Sequence, residues 1–168
     1  MIGSNAGKAQ KVLWASFGSY PEQFFFTYQM TDGSVFHRRG KALSDELVYF
    51  IKSYRSKVPA DLYARLRVQF GVAKSYIAWI GPVWISRDIP AILRSKLVDL
   101  SSMFDAEGGY TRGYLKNDCL IHVTWHDNGT YYIKFGEEHF WNFETPVPKH
   151  YWNVLLPNGA PDLAALKV

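Results

Sequence analysis

Few side chains in this chain are able to do chemistry, and most of them fall in its last third. His122 and His126 have the HxxxH spacing that, on a helix, sets two imidazoles on one face as a metal pair. Their neighbours argue otherwise. Ile121, Val123, Thr124 and Trp125 are strand formers, and a hairpin turn follows at once. Four residues of strand span ~13 Å, too far for one ion to hold both nitrogens, so no metal is expected at this pair. The same strand offers something else. A histidine there would lie within ~5 Å of a residue on a paired neighbour, so His122 or His126 could meet His139 or Tyr132 across a sheet. Gly136–Glu137–Glu138–His139 adds two carboxylates beside an imidazole, an acid/base pair in which Glu138 would orient His139, or else a polar hairpin turn. His122, His126, Glu138 and His139 are therefore the catalytic candidates, with His37 as a further imidazole. Cys119 as a nucleophile would need a histidine beside it. His122, three residues along, points to the opposite face, and the thiol reads as a small buried hydrophobe.

The second group is aromatic. Trp, Tyr and Phe supply 28 of the 168 residues, 17% of the chain. Several segments are aromatic at consecutive positions (Phe24, Phe25 and Phe26; Tyr131 and Tyr132), so rings fall on both faces of a strand. A sheet covered by one helical layer hides only one face. The surplus must be covered by further structure, bury itself against a partner, or line a pocket. The expected lining residues are Phe25, Trp79, Trp84, Tyr132 and Trp141.

The elements that must position these residues recur. Lys11 to about Arg55 reads as strand 12–17, the turn Gly18–Pro21, strand 24–30, the hairpin Thr31–Gly33, strand 34–39, then a helix capped by Ser44 with Asp45 and Glu46 in its first turn. A second unit repeats the order. Leu66, Val68 and Phe70 alternate, 75–80 is the middle strand, Gly81–Pro82 turns into 83–87, and a helix runs from an Asp88 cap and Pro90 to about Phe104. The third begins at Leu120, turns at Asp127–Asn128–Gly129, continues through 131–135 and 139–143, and ends in a short helix bearing Tyr151, Trp152 and Leu155. Phe17, Phe70 and Trp125 become equivalent positions. The fold class expected is α+β: three tandem units of about fifty residues, three short antiparallel strands followed by a helix. They would occupy about 11–57, 58–106 and 107–168 and pack as one domain with the helices on one side, behind a disordered segment 1–10.

The unit, with Phe-Gly at 17–18 and 70–71, Asp-Gly at 32–33, and Leu-Ser or Ile-Pro before the helix, resembles tandem repeats of uncharacterised fungal proteins. The resemblance spans nearly the whole chain. It implies lineage and a repeated unit, and carries no catalytic residue, cofactor or substrate.

Charge and composition narrow the function classes. Between His37 and Lys96 there are 12 Lys/Arg against 4 Asp/Glu, while the remainder carries 7 against 11. A basic segment attracts anions, but no zinc-finger spacing, RNP-type aromatic signature or GXXG loop accompanies it, so nucleic acid is not the expected partner. A single cysteine excludes an internal disulfide and a cysteine-rich zinc site. No apolar run is long enough for a membrane helix, and the polar start lacks the apolar core of a secretory signal, which leaves an intracellular location as the expectation. Asn128–Gly129–Thr130 matches a glycosylation sequon that is explained by the hairpin. Phosphate loops, dinucleotide fingerprints and nucleophile elbows are missing from the sequence.

Two functions remain. The first is a small cofactor-free binding protein that recognises an apolar ligand or a protein partner, a second copy included, through an aromatic-lined cleft. The second is a cofactor-independent isomerase, cyclase or dehydratase acting on a hydrophobic metabolite with the His/Glu groups above.

Overall fold

The computed structural model describes residues 9–142, and all structural statements below concern those. Three antiparallel sheets and three helices account for them. The first sheet is the meander β1 (Ala9–Phe17), β2 (Phe24–Met30) and β3 (Val35–Arg39). Ser44 then caps α1 (Asp45–Arg55), its hydroxyl accepting from the Leu47 amide, and the short α2 (Ala60–Tyr63) follows. The second meander, β4 (Arg67–Phe70), β5 (Tyr76–Ile80) and β6 (Val83–Arg87), leads into α3 (Ala91–Asp99). A hairpin, β7 (Ser101–Glu107) and β8 (Tyr110–Leu115), returns to complete a five-stranded sheet in the order β4-β5-β6-β8-β7. The third meander is β9 (Leu120–Trp125), β10 (Tyr131–Phe135) and β11 (Glu138–Asn142).

The architecture is α+β and dominated by sheet. Four expectations need correction. Ala9 and Gln10, expected to be disordered, belong to β1. Asp88 does not cap α3; it adopts a left-handed conformation (φ 50°), and Pro90 holds the cap position. The helix expected to reach Phe104 stops at Asp99, because the chain gains more by pairing with β8 than by another helical turn. Ser101 fixes the exit: its hydroxyl donates to the Leu97 carbonyl (2.7 Å) and accepts from the Trp84 indole (2.9 Å). Finally, the boundary placed between 106 and 107 cuts the β7–β8 ladder, whose strands extend the second sheet. The helix expected around Tyr151, Trp152 and Leu155 lies outside the described residues.

The helices are not on one side. β5 is buried at all five positions because both of its faces are covered. Tyr76, Ala78 and Ile80 join a core with Leu47, Phe50 and Ile51 of α1. Ile77 and Trp79 join another with Leu93 and Leu97 of α3. The central sheet is thus a layer between two helices, which absorbs rings on both of its faces. Trp14 packs against both cores.

Indoles tie the sheets together. Trp14 of β1 donates Nε1–H to the Val68 carbonyl on β4 (2.8 Å), and Trp79 of β5 donates to the Leu120 carbonyl on β9 (2.9 Å). The Phe70 amide donates to Ser16 Oγ (2.9 Å), so the outer edge of β4 is closed by side chains of β1.

Candidate functional site

Antiparallel pairing sets Lys134 between His122 and His139, and Tyr132 between Thr124 and Trp141. These residues share one half-buried face of the third sheet, opposite the face that buries Val123 and Ile133. Tyr132 Oη and His139 Nδ1 are hydrogen-bonded at 2.7 Å, and the His122 ring stands 6.3 Å from the Tyr132 ring. Of the groups expected to meet across strands, Tyr132 bonds His139 and stands near His122, while Lys134 separates the two histidines. Trp14 closes the row, 6.0 Å from His122. Burial lowers the His122 pKa and raises that of Tyr132, so both are neutral at physiological pH. The other two catalytic candidates stand apart. His126 is exposed beside Asp127 (2.5 Å), and Glu138 is exposed at the turn end of β11. His37 is structural: its Nε2–H donates to the Tyr63 carbonyl (2.8 Å), Nδ1 accepts from Thr27 Oγ1 (2.9 Å), and its ring stacks on Phe25.

The expected lining residues divide by face. Phe25, Trp79 and Trp84 are core, Phe25 because β2 turns it inward and the tryptophans because helices cover both faces of the central sheet. Of the three, Trp84 also borders a hollow between α1 and β8, Trp79 borders a smaller one beside Trp14 and Leu120, and Phe25 borders neither. Tyr132 and Trp141 are half-buried neighbours on β10 and β11. On β2 the outward rings are Phe24, Phe26 and Tyr28. With Phe17 of β1, which is 66% exposed, and Phe36 of β3, they form an aromatic face in which Phe26 packs against Phe17 and Phe24, and Tyr28 against Phe36.

The hollow beside Trp84 lies between α1 and the β6–β8 part of the central sheet. It encloses about 470 Å³. Tyr49, Ser53 and Lys57 follow each other at helical spacing along the rim, and Tyr54, Tyr110 and Arg112 complete the walls over a floor of Val83 and Ile85. Tyr49 is 72% exposed. The Tyr54 ring lies 5.0 Å from Phe50, and burial, followed by the nearby Tyr114, raises its pKa, so the phenol stays protonated as a donor. Arg112 is held by Asp105 (2.8 Å). The signal for this site was in the sequence: Tyr110, Arg112 and Tyr114 alternate directly after Gly108–Gly109, and Tyr49 sits off the buried stripe of α1. A larger hollow of about 570 Å³ lies at the start of α1, walled by Tyr20, Leu43, Phe70 and Tyr76 with Lys74 and Arg87. No histidine lines either hollow.

Among the described residues no cluster of three or more His, Cys, Asp or Glu side chains has metal-binding geometry, and no helix is long and apolar enough to cross a membrane. Compared with family models, curated proteins and solved structures, the chain gives no match.

Proposed function

We propose that the protein is a cofactor-free binding module that holds a flat, largely apolar ligand in the cleft between α1 and β8. The observation that carries this reading is the wall of tyrosines, Tyr49, Tyr54 and Tyr110, over an aliphatic floor. Its volume falls in the range of small-molecule sites, where rings provide contact area and a few polar groups fix orientation. With Arg112 paired to Asp105 and Glu46 to Arg87, Lys57 is left to meet an acceptor group at one end of the ligand and Asp45 a donor. Neither hollow is lined by an imidazole, and the carboxylates at the cleft are Asp45 and Glu46 at the start of α1, Glu46 being held by Arg87.

Anilinonaphthalene sulfonate, a flat apolar probe with one anionic group, tests the reading. Its fluorescence should rise on binding the native protein, and Tyr54→Ala should weaken that binding about tenfold, or about 1.4 kcal/mol. Tyr132→Ala, on the third sheet, should leave it unchanged. Equal binding by all three proteins would sink the proposal.

The enzyme reading keeps one supporting observation, the 2.7 Å bond between Tyr132 Oη and His139 Nδ1. That pair would act as a proton donor and acceptor for a substrate lying on the open face of the third sheet.

The meanders are, in this reading, tandem copies carrying an inserted β7–β8 hairpin. Support comes from the recurring order of three strands and a helix in the first two, and from the stitches Trp14 to Val68 and Trp79 to Leu120, each joining one meander to the first strand of the next.

A further inference from the structure

The two edges of the central sheet are treated differently. β4 is closed by Trp14 and Ser16 of β1, which take up the Val68 carbonyl and the Phe70 amide. β7, at the other edge, is exposed from Ser102 to Glu107. Its guards are few: it contains no lysine, arginine or proline, its charges are Asp105, paired to Arg112, and Glu107 at the turn, and its irregularity falls at its very start, between Ser101 and Met103. Met103 is 67% exposed on one face of the strand and Phe104 57% exposed on the other. The tight Gly108–Gly109 turn makes Glu107 and Tyr110 a hydrogen-bonded pair, so Phe104 and Ala106 direct their backbone N–H and C=O groups outward.

We propose that β7 is a dimerisation edge, pairing antiparallel with β7 of a second copy to make one continuous ten-stranded sheet. Charge excludes two registers, and the length of strand overlap favours an axis at Phe104 over one nearer the irregular start of β7. A two-fold axis at Asp105 would set that carboxylate against itself, and an axis at Ala106 would set Asp105 against Glu107. An axis at Phe104 opposes Met103 to Asp105 and Ser102 to Ala106, with no like charges opposite, and pairs the two Phe104 rings beside α3. This contact is isologous and closes at two subunits. It also places two Met103 side chains between the two tyrosine clefts, because Met103 pairs with Tyr114 on the α1 face of the sheet.

Sedimentation equilibrium of the full chain across a concentration series should give twice 19.3 kDa. Phe104→Lys and Ala106→Lys should each sediment as monomers with unchanged circular dichroism, since both positions are exposed. Register is read by oxidation in a Cys119→Ser background. Phe104→Cys should cross-link into a dimer, because its Cα atoms would stand ~5.5 Å apart. Ala106→Cys should not, its copies lying ~13 Å apart along the strands. A monomeric native protein, a dimer that survives Phe104→Lys, or cross-linking through Ala106→Cys alone would each overturn the proposal. None of these outcomes bears on whether the cleft binds its probe.

Discussion

At the scale of single residues, the tryptophans act as hydrogen-bond donors as much as hydrophobes. Trp79 fills the core beside α3 and donates to the Leu120 carbonyl (2.9 Å), so Trp79→Phe removes volume and leaves a buried acceptor unpaired. A loss of about 1–3 kcal/mol is expected in urea unfolding, against almost none for Trp141→Phe on a half-buried strand. His37 gives a pH dependence of definite sign. Burial, aided by the Arg67 charge and opposed by the Tyr63 carbonyl, lowers its pKa in the folded state. The unfolded chain therefore binds a proton near pH ~6.5 that the fold still refuses. Stability should be full above that pH, decline as pH falls toward the lowered folded value, and then level off. His122 shifts in the same direction for the same reason. Unfolding midpoints measured from pH 8 downward should show this decline, and the double variant His37→Gln/His122→Gln should flatten it. The chemistry of such residues was only partly legible from sequence. Strand alternation allows His122 or His126 to meet Tyr132 or His139, and the pairing register decides that Tyr132 stands near His122 and His139 while His126 stands apart. Thr27 faces His37 across the β2–β3 hairpin, but the structural role of His37 also depends on Tyr63, whose approach no local pattern encodes.

At the scale of elements, turns were read well where one residue type decides them. Asp127–Asn128–Gly129, Gly81–Pro82 and the Ser44 cap all stand where local chemistry places them. The stretch from Leu97 to Phe104 went the other way, because Leu97, Leu100 and Phe104 mimic a helical stripe while Ser101 and Met103 pair across the hairpin with Leu115 and Tyr114. Face assignment on β2 failed for a related reason. In a run of three phenylalanines the period-two signal is flat, and only packing decides that Phe25 points in while Phe24 and Phe26 point out. The β6–β8 pairing supplies a test at this scale. A Cβ on Gly113 would stand 2.6 Å from the Trp84 indole nitrogen. Gly113→Ala should cost about 1–3 kcal/mol by overpacking, visible in the urea midpoint, whereas Gly109→Asn, which keeps a turn-compatible residue at φ 85°, should cost little.

At the scale of the whole molecule, the basic segment from His37 to Lys96 is partly neutralised by the fold. Arg65 meets Asp118, Arg87 meets Glu46 and Asp88, and Arg67 lies over the Trp14 ring while donating to the Ala64 and Leu66 carbonyls. Binding to single-stranded DNA should accordingly be weak and vanish by ~0.2 M salt; tight, sequence-selective binding at that salt, measured by fluorescence anisotropy, would contradict this. The surplus of rings was legible as a quantity but not as a place. Composition shows that one helical layer cannot cover them, and the answer is a central sheet with a helix on each face, a tyrosine cleft beside one of them, and an aromatic outer face on the first sheet.

The edge-to-face contact between Trp14 and Trp79, with ring centroids 5.6 Å apart and planes at 85°, joins an indole of the first sheet to one of the second. Two chromophores that close share their excited states, and the coupled transition appears as a paired positive and negative band in far-ultraviolet circular dichroism. Neither sheet produces that band by itself. The molecule thus carries an optical reporter for the docking of one meander on the next, separable in time from the formation of the strands.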